Sequence, residues 1–166
     1  VSSKADLVLR NFYWKIAATT PTTYTGARPA FRAVDPDDLD PERSSGLTRG
    51  FAVMWIGSGR EHEVEEAPIT NGVDRVATHR YLVEVYYSAK YKWLDAQAIA
   101  LQDRDAITAA LRTNTSLTGY NADNPSADLT ATHRIREGDE LITPAEGGGV
   151  WRLRMTWVVP IYEDES

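Results

Sequence analysis

The sequence predicts an α+β domain: a mainly antiparallel sheet, with an N-terminal helix and one long helix, continuous or broken, packed on one face. Three observations carry this. Apolar residues recur at helical spacing near the start, in "ADLVLRNFYWKIAA", and again in "WLDAQAIALQDRDAITAALR". Two-residue alternation marks "FAVMWIG", "HRYLVEVYYS" and "WRLRMTWVVPIY". Strands and helices do not alternate regularly, which argues against a parallel βαβ layout. A length of 166 residues favours one domain, here 1–166, and is enough to bury a core.

The elements follow in order. Ser2 or Ser3 can cap the opening helix, and Pro21 lies just beyond its end. Ala5, Val8, Leu9, Phe12 and Ile16 form its apolar stripe, while Leu7 and Trp14 fall on roughly the opposite side. Trp14 reads either as a partly covered aromatic or as a subunit contact. Residues 20–46 hold four of the eight prolines. A short strand is expected around Phe31 and Ala33. An extended acidic loop follows at about 35–46, "DPDDLDPERSSG". Its carboxylates, Asp37, Asp38 and Asp40 among them, invite a calcium reading. The spacing lacks the Gly at the sixth position and the Glu at the twelfth that an EF-hand needs.

In "LTRGFAVMWIGSG", Phe51, Val53 and Trp55 share one face and Ala52, Met54 and Ile56 the other, so a strand covered on both sides is expected. Gly57-Ser58-Gly59 then reads as a hairpin tip. Tyr81, Val83, Val85 and Tyr87 alternate with Leu82, Glu84 and Tyr86 in the clearest strand. The long helix places Ala96, Ile99, Ala100, Ile107 and Leu111 on one side, with Asp103 in their midst. Either the helix breaks and Asp103 caps a second segment, or Asp103 is buried with a partner. The break is preferred, because Asp caps well and sits poorly in a core. "LTATHRIRE" (129–137) reads as a strand and "GDELITPAEGGG" as a hairpin loop. The closing strand pairs back antiparallel, with Trp151, Leu153, Met155 and Trp157 on one face and Arg152 and Arg154 on the other.

The search for chemistry yields no catalytic, cofactor-binding or metal site. There is no cysteine, which removes disulfides, thiolates and Cys-type zinc sites. His62, His79 and His133 show no zincin spacing, and there is no Gly-x-Ser-x-Gly elbow. Gly57-Ser58-Gly59 fits neither the dinucleotide nor the P-loop pattern. No apolar run approaches the ~20 residues of a membrane helix, and the start lacks the layout of a signal peptide. The net charge of −6 argues against a protein whose main task is gripping phosphates.

Taken end to end, the chain resembles the tail terminator proteins of tailed bacteriophages, the lambda-like class. The resemblance rests on five features in order: the helix "ADLVLRNFYWKIAA", the acidic arm "AVDPDDLDPERSSG", the aromatic strand "FAVMWIGSG", the pair "HRYLVEVYYSAKY" and "ALQDRDAITAALR", and the final strand "WRLRMTWVVPIYED". It is a likeness of layout, shared with tail-completion, connector-adaptor and head–tail joining proteins. It implies a non-enzymatic structural protein of the virion's tail–neck region, assembled in the host cytoplasm. The implied assembly is a homohexameric ring that caps the tail tube protein and docks head connector proteins. DNA would pass through without sequence-specific binding, and the acidic balance suits a lumen that does not hold phosphates. In such a ring, Arg152 and Arg154 are expected to meet acidic groups of the next subunit, in the 35–42 loop, with Trp14 as a further contact. From a different class, a small-ligand domain or enzyme using the aromatic sheet as a pocket is the alternative.

Overall fold

A computed structural model describes residues 4–21, 30–37, 48–63, 74–112 and 134–164. The elements are α1 (Lys4–Ala18), β1 (Ala30–Ala33), β2 (Thr48–Glu63), β3 (Asp74–Ser88), α2 (Trp93–Arg112), β4 (Ile135–Ile142) and β5 (Val150–Asp164). The five strands form one sheet in the order β1-β2-β3-β5-β4. β1 runs parallel to β2, and every other pairing is antiparallel. This is the α+β arrangement that the periodicity predicts.

Both helices pack on one face. Val8, Phe12 and Ile16 of α1 and Ala96, Ala100, Ile107 and Leu111 of α2 meet the odd-numbered residues of β2, β3 and β5. Phe12 lies 5.0 Å from Tyr81 and 6.3 Å from Trp157, ring centre to ring centre. α1 leans toward β1 and β2, and α2 toward β5 and β4. Leu7 is buried, not opposite the stripe as the helical wheel suggests, and so are Asn11 and Lys15. The reason is the second helix, which covers a flank of α1 that a one-sided wheel leaves to solvent. Lys15 donates to the Ala110 carbonyl, and Arg134 donates to the Leu111 carbonyl and to Asn11. Two cations thus sit at the C-terminal end of α2, where the helix dipole and free carbonyls favour them. Burial pulls Arg134 down to about 10 and lowers Lys15 as well, with Arg134 adding to the effect on Lys15.

α2 is continuous, so the expected break at Asp103 does not occur. Asp103 is fully buried and accepts hydrogen bonds from the Arg49 guanidinium and, at 2.7 Å, from the Tyr87 hydroxyl. A buried carboxylate is tolerable once paired and hydrogen-bonded. The partners come from β2 and β3, remote in sequence. Burial pushes the Asp103 carboxyl up to about 6, against the opposing pull of Arg49 and Tyr87. A raised folded value means that the folded state holds this proton more tightly than the unfolded chain does. The group's stabilisation is therefore full below about pH 4 and lost as pH rises through about 6, by at most about 3 kcal/mol. Asp103→Asn removes that titration. The stability of the parent minus that of the variant, from urea midpoints, is expected to shrink between these pH values. A difference that grows with pH would show that Arg49 outweighs burial.

Two strands, β2 and β4, differ from expectation. β2 continues through Gly57-Ser58-Gly59 to Glu63, so these residues are not a hairpin tip. A bulge between Trp55 and Gly57 absorbs them, with Gly57 at φ 137°. β2 is also not covered on both sides along its length. Phe51, Ala52 and Val53 are buried, but Trp55 and Ile56 are half-exposed, and β1 ends opposite Phe51. There the Tyr13 hydroxyl accepts from the Val53 N–H and donates to its carbonyl, closing the β2 edge where β1 stops. β4 spans Ile135–Ile142, so the "GDELI" segment is strand and not loop. Of the expected strand, 129–133 lie outside the described residues.

The β4–β5 turn occupies 143–149. Gly147 donates to the Thr143 carbonyl at 2.7 Å, and Gly149 donates to that of Pro144. A Cβ on Gly147 would lie 2.3 Å from the Val150 carbonyl oxygen, while Gly148 has φ +73°. Gly148→Ala meets left-handed strain of roughly 1–2 kcal/mol. Gly147→Ala meets backbone that must move, and is expected to lower the melting temperature more than Gly148→Ala does. The reverse order would mean that the turn relaxes freely.

Candidate assembly surfaces

The helix-free face of the sheet carries an ion-pair network. β3 presents Leu82, Glu84 and Tyr86, and β5 presents Arg152, Arg154 and Thr156, in direct register. Glu84 is only 3% exposed. Arg154 Nε lies 3.2 Å from Glu84 Oε2, without the alignment of a hydrogen bond, while Arg152 reaches Oε1 at 3.5 Å. The Tyr86 hydroxyl donates to the same Oε1 at 3.1 Å, and the Arg152 guanidinium stacks 5.3 Å from the Tyr86 ring centre. Burial, and then the charge of Glu84, push the Tyr86 hydroxyl well above its ordinary range. Arg152 also donates to the Gly147 carbonyl at 2.6 Å, and Arg154 lies 3.7 Å from Glu140 on β4.

Arg152 and Arg154, expected to meet a neighbour's acidic loop, have carboxylate contacts within the subunit as well. Within the subunit their carboxylate partners are Glu84 and Glu140 of the same chain. Reversing both charges is therefore expected to destabilise the subunit itself, by stranding a buried Glu84. Of the acidic candidates, Asp37 is exposed, and its backbone N–H donates to Asp35 Oδ1 at 2.9 Å in a local turn. Asp38 and Asp40 lie outside the described residues, as does His133. Trp14 is half-exposed on the side of α1 away from the sheet. The structure does not bring Trp14, Asp37 and the two arginines into one cluster.

Two surfaces escaped the sequence reading. Trp93, Gln97, Leu101 and Arg104 of α2 form, with Asp139 and Leu141 of β4, a groove of about 330 Å³. Trp93 and Leu101 are at least half-exposed there, and Trp93 packs 5.8 Å from Trp151. Their spacing in the helix was a usable signal, eclipsed by the stronger core stripe. The second surface is the charged outer edge of the sheet, where Glu137, Asp139 and Glu140 line β4. Arg104 bridges Asp105 and Asp139 at 3.0 and 3.1 Å, and Arg80 pairs with Glu137 at 2.8 Å.

Among the described residues, no group of three or more His, Asp or Glu side chains is arranged to hold a metal ion. No helix among the described residues is long and apolar enough to cross a membrane. His79 accepts a hydrogen bond at Nδ1 from Trp55 Nε1, at 3.0 Å. No family model matches the chain, and no curated protein matches it at a meaningful level of similarity.

Proposed function

We propose that this chain is a structural protein of a tailed-phage virion, of the tail terminator kind. It forms a ring, a homohexamer by resemblance, on the end of the tail tube. The ring ends tube polymerisation and offers the head connector a docking surface, and DNA passes through its lumen unread. The observation that supports this most is the order of elements. An opening helix, an aromatic strand, a strand followed directly by the long helix, and a closing strand through Asp164 reproduce the layout on which the resemblance rests. Half-exposed apolar side chains on separate surfaces, Trp14 on α1 and Trp93 and Leu101 on α2, suit a subunit that meets neighbours on more than one side.

Electron microscopy of the purified protein, alone and mixed with tail tubes, tests the reading. Rings seated on tube ends, with tubes no longer elongating, are expected. Binding to connectors but not to tubes would move the protein to the connector-adaptor or tail-completion class. The α2–β4 groove, within the size range of ligand sites, favours the small-molecule alternative. A monomer that ignores tubes and is stabilised by a small ligand would establish that alternative instead.

A further inference from the structure

The two outer strands of the sheet are complementary to each other. β1 and β4 lie at opposite edges, and among the described residues neither has a strand on its outer side. An open edge is a template for another chain. Following the pairings across the sheet, β1, β2 and β5 run one way and β3 and β4 the other. A copy displaced sideways, with its strands kept aligned, therefore brings its β1 antiparallel to the first copy's β4.

The side chains agree with the backbone. Arg32 stands opposite Gly50, which is opposite Tyr86, so it belongs to the helix-free face. Glu140 stands opposite Arg154, which is opposite Glu84, so it belongs to the same face. Arg32 is exposed, and among the described residues no carboxylate pairs with it; the Glu140 side chain is 64% exposed. β1 carries Arg32 as its one charge, while β4 carries Glu137, Asp139 and Glu140 against the single Arg136 and so is net acidic, although each of these carboxylates also meets an arginine of its own subunit. Two β4 edges would set like charges together, so the contact favours β4 against β1, head to tail. A head-to-tail contact closes into a ring where the rotation between copies closes, and otherwise runs on as a filament.

We infer that copies of this chain join edge to edge, β1 of one pairing antiparallel with β4 of the next, with Arg32 opposite Glu140. This deepens the ring reading and rests on it for the number of copies. The same register sets Phe31 beside Leu141 and Ala33 beside Asp139 on the helix-bearing face. Since α1 flanks β1 and α2 flanks β4, the contact also brings one copy's α1 layer toward the next copy's α2–β4 groove. Trp93 and Leu101 are covered there, which adds apolar area to a short strand pairing.

The test uses the full chain and two charge reversals, Arg32→Glu and Glu140→Lys, with circular dichroism to verify folding. Sedimentation of the parent at high concentration is expected to show a closed oligomer. Each single variant is expected to raise the assembly midpoint concentration about tenfold or more, and the double variant to restore assembly. Mixing the two single variants should likewise restore closed oligomers, with the two kinds of copy alternating, because every contact between unlike copies is then matched in charge. Closed oligomers in the parent and in both single variants alike would overturn the edge contact while leaving a ring intact. A parent that stays monomeric at every concentration would overturn it outright. Restored closed oligomers that fail to bind tail tubes would uphold the contact and reject the tail reading.

Discussion

Val85→Asp is expected to abolish folding. Val85 is fully buried in the central strand β3, between Phe51 of β2 and Leu153 of β5 in the register. Its neighbours under the helices are apolar, including Val83, Phe51 and Leu153. A carboxylate there finds no donor, because the adjacent backbone groups already serve the two flanking strands. Leaving it unpaired costs several kcal/mol, a large part of the roughly 5–15 kcal/mol that holds a domain of this kind together. Val85→Ala removes two methyl groups without adding charge. It is expected to cost on the order of 2 kcal/mol and to remain folded. The pair separates a buried-charge effect from mere loss of volume. Far-ultraviolet circular dichroism and thermal melts provide the measurement. Cooperative melting of Val85→Asp near the parent's temperature would mean that the helix-bearing face has been misassigned.

The second large effect concerns the charge at the heart of α2. Arg49→Met and Asp103→Leu are each expected to destabilise by about 3–5 kcal/mol at neutral pH, since each strands its partner in the core. Tyr87→Phe should cost less, about 1–3 kcal/mol, because Arg49 still satisfies one carboxylate oxygen. The double variant Arg49→Met with Asp103→Leu removes both charges, and apolar replacement of a buried pair is often neutral or stabilising. It should therefore be more stable than either single variant. The non-additivity in urea unfolding measures the coupling. Additive losses would show that the two side chains act independently, and that Asp103 is held by something other than Arg49.

Local pattern was enough for the α+β class, the two helices, the faces of β3 and β5, and the antiparallel return of the last strand. These follow from the 3.6- and 2-residue periods, which act within a segment and need no knowledge of its neighbours. The acidic, glycine-punctuated segment "EGDELITP" carries a loop's composition, yet through Ile142 it is strand, because β5 offers a continuous template and a bulge before Gly138 absorbs the misfit. Gly57-Ser58-Gly59 was misleading for the same reason, since β3 extends alongside it to Asp74.

For the candidate surfaces, the sequence determined which strand positions carry Arg152, Arg154 and Glu84 on one face. Only the tertiary structure decided that these three pair within one subunit. It also decided that Asp103 meets Arg49 and Tyr87, and that Arg32 and Glu140 end at opposite edges on a common face. Those outcomes depend on strand order and register, which bring together residues 54 positions apart for Arg49 and Asp103. A buried charge is tolerated or excluded according to the partner that arrives, and periodicity within one helix or strand contains nothing about that partner.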